Sequence, residues 1–295
     1  MTRAIAFLRP ESVEEAVAML QEHGDGAKVM AGSTALTIML RSRLIDPSVL
    51  ISINALPGLR EISVHDGVLE LGALATHRTV ERERVVRDAI PVLADTFSKV
   101  ANVRVRNAAT VGGVVAEADY ASDPPATLVG LGAEIVATGP AGERAIPARE
   151  FFVAFYETAL RPTEIVTKVR IPLPGAGTGA TYEKFVTRSS EDRPCIGVFA
   201  SCRQVEPGRF RDVRVSVGAA AETPQRFPDL EALAGETDLG DDVRRAIADG
   251  YAERIETLDD VRGSAWYRTE MVRVWVRRAL ESARLRAGSM RSAVA

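Results

Sequence analysis

Strand and helix signals alternate through the first 56 residues, and this alternation constrains the fold more than any other feature of the chain. Residues 4–8, 28–30 and 49–53 are short apolar runs of the kind found in strands. Ser12 and Glu15 form a capping box that opens a helix after the first run, and a second helix is expected after the second run. The order β-α-β-α-β in so short a segment predicts a small parallel sheet.

The pattern changes after residue 56. Residues 61–71 and 134–146 alternate around turn sequences rich in Gly, as the strands of antiparallel hairpins do. Helices are expected after Thr76 and from Pro91, whereas residues 107–123 are rich in Gly, Ala and Thr and carry few helix signals. This second segment therefore combines helices with an antiparallel sheet.

Gly175, Gly177 and Gly179 mark a linker. Beyond it, three runs with strand character precede two helical segments, which predicts an antiparallel sheet with helices packed on it. We therefore expect an α+β protein built from two α/β subdomains and a C-terminal domain. The expected boundaries are 1–176 for the first domain (subdomains of about 1–56 and 57–176), 177–288 for the C-terminal domain and 289–295 for a frayed tail.

Composition argues against several classes of function. The 295 residues carry a net charge of −3, which does not fit a nucleic-acid-binding surface as the main function. No apolar run reaches the length of about 18 residues that a membrane span requires. The two cysteines and three histidines match no metal-ligand spacing. We expect reduced thiols, a cytoplasmic location, no metal site and no catalytic nucleophile–base pair.

The first candidate binding loop joins the second predicted strand to the helix that follows. Backbone N–H groups at a helix start favour an anion such as phosphate, Gly32 permits close approach, and Ser33 or Thr34 adds a hydroxyl donor. The alternative is a plain strand–turn–helix connection with Ser33 as the N-cap. The candidate residues are Val29, Met30, Ala31, Gly32, Ser33, Thr34 and Ala35.

A second candidate loop lies within the segment that carries few helix signals. It comprises Thr110, Val111, Gly112 and Gly113. A hydroxyl followed by paired glycines can form a nest, a concave group of N–H donors, for a pyrophosphate. The alternative is a glycine turn between packed segments.

Three charged residues complete the candidate site. Asp119 and Asp123 could accept hydrogen bonds from ribose hydroxyls or an adenine amino group, and Lys184 could reach a phosphate or a flavin carbonyl. The alternatives are a solvated side chain for Asp119, a helix N-cap before Pro124 for Asp123, and a solvated strand residue for Lys184. The polar loop at residues 188–194 is a candidate lid.

These segments, in this order, resemble the FAD-binding medium subunit of the molybdenum hydroxylases, the xanthine dehydrogenase and aerobic carbon monoxide dehydrogenase family. Residues 31–36 are similar to the family's first flavin loop. Residues 103–113 are similar to its Gln-Val-Arg-Asn-x-x-Thr-Ile-Gly-Gly signature, and residues 118–125 to the acidic motif that follows. Residues 260–268 resemble its Asp-x-Arg-Gly-x-x-x-Tyr-Arg motif. The chain departs from the family pattern at four places. Ser33 replaces a glycine, and Val103 follows Asn102 where glutamine is frequent. Tyr120 stands where proline is common, and Glu117 where a histidine or a small residue is often found.

The resemblance implies two subdomains of the vanillyl-alcohol-oxidase type that hold FAD, and a C-terminal domain that closes over them. It implies that residues 29–35 and 110–114 hold the pyrophosphate and neighbouring groups. Asp123, Lys184 and the region around Ile165 correspond to positions that contact the flavin nucleotide, and residues 188–194 to a variable loop near the isoalloxazine. The serine at position 33 is strained if the turn needs positive φ there, and otherwise offers a donor.

The resemblance also implies a function. The chain is expected to carry FAD in a multi-subunit molybdenum hydroxylase, with an iron–sulfur small subunit and a molybdopterin large subunit, in a dimer of heterotrimers. It would receive electrons from [2Fe–2S] centres and pass them to an external acceptor. The alternatives are a stand-alone flavoprotein oxidoreductase and a flavin-free scaffold subunit.

Overall fold

The N-terminal segment folds into a three-stranded parallel sheet, as its alternating pattern predicts. The computed structural model describes residues 4–292. Strand order is β1-β3-β2, and Ser12 caps α1 by accepting a hydrogen bond from the N–H of Glu15. The elements are β1 (Ala6–Leu8), α1 (Val13–His23), β2 (Ala27–Met30), α2 (Leu36–Arg41) and β3 (Val49–Ser52).

The second segment is a five-stranded antiparallel sheet of order β4-β5-β10-β6-β7, with helices packed against it. Its strands are β4 (Ile62–His65), β5 (Val68–Gly72), β6 (Glu134–Gly139), β7 (Gly142–Pro147) and β10 (Ile165–Pro172), with a small pair β8 (Phe152–Ala154) and β9 (Glu157–Thr158). Its helices are α3 (His77–Arg82), α4 (Arg84–Ala89), α5 (Pro91–Ser98), α6 (Val103–Ala108), α7 (Val111–Glu117), α8 (Asp123–Leu131) and α9 (Ala148–Phe151).

Residues 107–123 carry few helix signals in the sequence, but the structure forms a helix within them. Helix α7 begins at Val111, where the Thr110 hydroxyl accepts from the N–H of Gly113. The two glycines lower helix propensity, but Val111, Val114 and Val115 are buried in the core of this segment. Tertiary burial together with the threonine cap therefore outweighs the local preference.

The C-terminal domain is an antiparallel sheet covered by helices, and the predicted α+β class is confirmed. The last helix continues through Ser292, so the predicted tail at 289–295 is helical over its first four residues, and residues 293–295 lie outside the described part of the chain. No helix within residues 4–292 is long and apolar enough to cross a membrane. The elements are β11 (Thr178–Phe185), β12 (Ile196–Glu206), β13 (Arg209–Gly218), α10 (Pro228–Glu231), α11 (Asp241–Arg254) and α12 (Ala265–Ser292).

The C-terminal sheet joins two hydrophobic cores because successive side chains of a strand point to opposite faces. Phe199 of β12 lies in the core of the preceding segment, whereas Val198 and Ala200 lie in the core formed with α11 and α12. A Cβ at Gly130 of α8 would lie 2.1 Å from the Phe199 ring. This absence of a side chain lets α8 pack directly on the sheet.

Helix α12 packs equally closely on β11, which gives a test of the C-terminal core. A Cβ at Gly179 would lie 2.1 Å from the backbone nitrogen of Ala287 and 2.3 Å from the carbonyl oxygen of Ala283. We expect Gly179→Ala to lower the free energy of unfolding by at least about 2 kcal/mol, because the helix must shift. Thermal and urea unfolding measure the change.

The matched control is Gly288→Ala in the same helix, where an added Cβ meets nothing within 4 Å. Alanine favours the helix there by about 0.5–1 kcal/mol. Equal stability of the two alanine variants would contradict the close packing of α12 on β11.

Candidate functional site

The first candidate loop presents a run of free backbone donors. In the described part of the chain, no oxygen accepts from the N–H groups of the five residues from Gly32 to Leu36. Ser33 adopts φ of 58°, and its hydroxyl donates to the carbonyl of Ala31 over 3.0 Å. The N-cap position of α2 is Ala35, without a side-chain cap, so the alternative interpretation of Ser33 as the N-cap is wrong. A left-handed turn followed by free N–H groups is the geometry that binds anions.

The second candidate loop lies directly beside the first. A Cβ at Gly32 would lie 1.9 Å from the carbonyl oxygen of Ala108, so only glycine permits this approach. Ala108 ends α6, and Ala109 and Thr110 lead from it into α7. The structure therefore brings residues 31–35 and 108–113 together, although the sequence separates them by more than 70 residues.

The prediction that residues 110–113 form a nest of N–H donors for a pyrophosphate is wrong, because three of these N–H groups already have acceptors. The N–H of Val111 donates to the carbonyl of Ala75, and the N–H of Gly112 donates to that of Ala73. The N–H of Gly113 donates to the Thr110 hydroxyl over 3.1 Å. These donors are engaged because α7 starts against the end of β5. The second loop thus contributes a rigid wall to the site, formed by residues 110–113 and called the Thr110–Gly113 edge below. The free donors belong to the first loop.

Asp123 and Lys184 form a buried ion pair across the two domains. Lys184 Nζ lies 3.0 Å from Asp123 Oδ2, and the Tyr182 hydroxyl donates to Oδ1 over 2.8 Å. The lysine side chain is only 6% exposed, and Ser122 occupies the N-cap position of α8, so both alternative interpretations are wrong. Burial raises the pKa of Asp123, and the charge of Lys184 opposes that shift. The pair fixes β11 on α8.

Asp119 lies in a small acidic cluster under the polar loop. Its side chain is buried, contrary to the solvated alternative, and Oδ2 lies 2.6 Å from Arg193 Nε of residues 188–194. Burial raises the pKa of neighbouring Glu117 to about 7, and the charge of Asp119 adds to the shift. Asp119 thus pairs with an arginine of the candidate lid, and the positive charge of Arg193 also opposes the rise in the pKa of Glu117. The sequence identifies the loop as polar but does not indicate which carboxylate it binds.

Ile165 occupies a different environment from the other predicted residues. Its side chain is buried in the core of the parallel-sheet subdomain, where Ile51 and Leu74 also lie. The side chain is therefore part of the packing between β10 and the first subdomain. Any contact of this position with a nucleotide has to come from its backbone.

Sequence reasoning does not identify Tyr120 as a contact between the domains. Its hydroxyl donates to Asp260 Oδ2 over 2.6 Å and accepts from Arg262 Nη1 over 3.0 Å. Asp260 also pairs with Arg268, which is fully buried. Burial acts to raise the pKa of Asp260, but the hydrogen bond from Tyr120 and the charge of Arg268 hold it well below its usual range. The replacement of a frequent proline by tyrosine is the signal that marks this position.

Family models match nearly the whole chain. Residues 3–174 match the FAD binding domain in molybdopterin dehydrogenase, and residues 180–283 match the CO dehydrogenase flavoprotein C-terminal domain. The chain belongs to this family of molybdopterin-dependent oxidoreductase subunits. The resemblance found in the sequence is thereby confirmed, and so is FAD as the cofactor.

Curated relatives align over almost their full length. The carbon monoxide dehydrogenase medium chain of Hydrogenophaga pseudoflava is 33% identical over 93% of this chain and 95% of its own. The 6-hydroxypseudooxynicotine dehydrogenase complex subunit alpha of Paenarthrobacter nicotinovorans is 32% identical over 95% of both chains.

Solved structures agree with this assignment. Carbon monoxide dehydrogenase from H. pseudoflava, in a form that lacks the Mo-pyranopterin moiety of its cofactor, matches with a TM-score of 0.93 at 33% identity, over 97% of this chain and 99% of its own. Quinoline 2-oxidoreductase from Pseudomonas putida 86 matches with a TM-score of 0.92 at 26% identity, over 98% of this chain and 99% of its own.

The residues present fit FAD. A pyrophosphate needs several converging donors, and the free N–H groups of residues 32–36 supply them beside the Thr110–Gly113 edge. Gly32 leaves no side chain on the face that meets Ala108. Within residues 4–292, no group of three or more His, Cys, Asp or Glu residues is arranged to hold a metal ion.

The strain at Ser33 gives a test of the turn. A non-glycine residue in the left-handed region lowers stability by roughly 1–2 kcal/mol. Glycine avoids this strain but loses more backbone entropy on folding, which offsets part of the gain. We expect Ser33→Gly to raise the free energy of unfolding by up to about 1 kcal/mol and to leave FAD retention intact. Urea unfolding and gel filtration with FAD measure the two effects.

Ser42→Gly is the matched control. Ser42 lies at the end of α2, the helix that follows the turn, and its φ of −83° carries no strain that glycine could relieve. An equal or larger stabilisation in that control would show that the backbone at Ser33 is unstrained.

The acidic cluster predicts a pH dependence of stability. Because burial raises the pKa of Glu117 from 4.5 to about 7 in the folded chain, the folded state binds more protons than the unfolded state between these values. Stability from this group is therefore present below about pH 4.5 and is lost as pH rises through 7, by about 3 kcal/mol.

Glu117→Gln is expected to remove that loss, as measured by unfolding at a series of pH values. The exposed Glu256 supplies the control variant Glu256→Gln, which keeps the wild-type profile. A Glu117→Gln profile parallel to the wild type would refute the shift.

Proposed function

We propose that this chain is the FAD subunit of a multi-subunit molybdenum hydroxylase and that it relays electrons. Electrons would come from the [2Fe–2S] centres of a partner subunit and leave to an external acceptor. The observation that carries the proposal is the run of five free N–H groups beside the Thr110 loop, in a chain that aligns end to end with a medium chain of carbon monoxide dehydrogenase.

The residues divide the work of holding the cofactor. The N–H groups of residues 32–36 would bind the pyrophosphate, with the Thr110–Gly113 edge as the opposite wall. The Asp123–Lys184 pair would keep the C-terminal domain closed over the site, and Arg193 would hold residues 188–194 down on Asp119. FAD, when bound, supplies a redox group that can accept and release both single electrons and pairs.

The names of the relatives support the proposal that this chain works with partner subunits. Among them are a subunit of a dehydrogenase complex and medium chains of carbon monoxide dehydrogenase. For this chain we propose an iron–sulfur small subunit and a molybdopterin large subunit, a dimer of heterotrimers, and a cytoplasmic location. The substrate would then be bound by a different subunit from the one that holds FAD.

Thr34 offers a matched pair of variants for testing the flavin site. Its side chain is half-buried at the centre of the donor run. Thr34→Glu places a negative charge against the pyrophosphate and is expected to weaken FAD binding by about 10- to 100-fold. Thr34→Gln has similar size without the charge and should stay within about threefold of wild type.

The measurement is flavin absorbance that stays with the folded chain after gel filtration with FAD, followed by titration. A folded wild-type chain that retains no flavin would support the scaffold alternative. Retained flavin without association with any iron–sulfur or molybdopterin subunit, in preparations from the source organism, would support a stand-alone flavoprotein.

A further inference from the structure

The second candidate loop is held by residues 73–76, which join β5 to α3, and by His77, the first residue of α3. The carbonyls of Ala73 and Ala75 accept from the first two N–H groups of α7. In return, the backbone N–H of His77 donates to the carbonyl of Ala109 over 2.9 Å. This frame fixes the direction in which α7 leaves the site.

The side chain of His77 adds one contact that the backbone does not supply. Nε2 lies 3.3 Å from the carbonyl oxygen of Thr110, and the ring meets Phe97 edge to face at 4.9 Å between centroids. A carbonyl oxygen only accepts, so Nε2 carries the proton and donates. Within the described residues, Nδ1 is buried and has no hydrogen-bond partner.

The imidazole is neutral in this environment. His77 is 2% exposed, and burial lowers its pKa to about 4, with a further contribution from the positive charge of Arg106 on α6. Glu81 on α3 pairs with Arg106 and with Arg78, so the charges around the ring are compensated. The contact with Thr110 is therefore the same throughout the neutral pH range.

For stability alone, an apolar side chain would suit this position better. A buried nitrogen without a partner costs about 1–3 kcal/mol, which leucine of similar volume would avoid. What the imidazole supplies is a second donor to the Thr110 carbonyl, which already accepts the first helical hydrogen bond of α7 from Val114 over 3.0 Å. The ring thus acts on the residue whose hydroxyl binds the Gly113 N–H.

We propose that His77 is a positioning residue for FAD: its neutral imidazole orients Thr110 and the start of α7 towards the bound pyrophosphate. This inference rests on the proposed function for its ligand, but the contact itself exists in the chain without ligand. The two can therefore be tested separately.

The experiment compares His77→Leu with His77→Gln in the full chain. Leucine fills the ring volume without a donor, whereas the glutamine amide can donate to Thr110. We expect His77→Leu to weaken FAD binding by about 5- to 20-fold and to alter the visible circular dichroism of the flavin. His77→Gln should stay within about threefold of wild type. The melting temperature of the His77→Leu chain should equal or exceed that of wild type.

Two further readouts make the result decisive. Amide exchange at residues 111–114, measured without FAD, should accelerate in His77→Leu and recover in His77→Gln. FAD affinity of the Glu117→Gln chain, which lacks the carboxylate that titrates near pH 7, should be flat between about pH 5.5 and 8. Wild-type exchange and flavin spectra in His77→Leu, or an affinity that titrates with a histidine near its ordinary pKa, would overturn the role. A wild-type chain that binds no FAD would defeat the proposed function, while the exchange data would still decide whether His77 holds Thr110.

Discussion

The close approach of Gly32 to the carbonyl of Ala108 is the contact on which the site depends. The turn after β2 and the end of α6 belong to separate subdomains, and a single Cβ at Gly32 would lie 1.9 Å from that oxygen. This contact places the free N–H groups of the first loop beside the segment that leads into Thr110 and α7. Without this contact each loop is an ordinary connection, because neither provides both free donors and a wall.

The closure of the C-terminal domain rests on buried polar groups. Replacing a buried ion pair by apolar residues is often neutral for stability, so the Asp123–Lys184 pair is poorly explained as a source of stability. Its geometry is more informative. Tyr182 and Lys184 both lie on β11 and must meet the two oxygens of one carboxylate, and a shift of one residue along the strand would turn both side chains to the other face. The pair therefore specifies the register in which β11 packs on α8.

How far the sequence predicts this structure depends on the distance over which each signal acts. The cap at Ser12 and the parallel order of the first three strands follow from neighbouring residues and were predicted. Helix α7 was missed because its glycines oppose helix locally, while burial of Val114 and Val115 favours it. The partner of Asp123 lies 61 residues away in sequence. Spacing carries no information about such a contact, so the pair could be named only as two separate candidates.

Two of the departures from the family pattern, Ser33 and Tyr120, have opposite effects on the structure. Ser33 keeps the left-handed turn that glycine would adopt without strain, so the donor run survives at a local cost. Tyr120 adds a hydroxyl where proline offers none, and this hydroxyl joins the carboxylate of Asp260 to the guanidinium of Arg262. Because Asp260 also holds the fully buried Arg268, the added hydroxyl ties the acidic motif after α7 to the start of α12. The chain therefore keeps a left-handed turn with free donors at position 33, and Tyr120 adds a contact between the two domains.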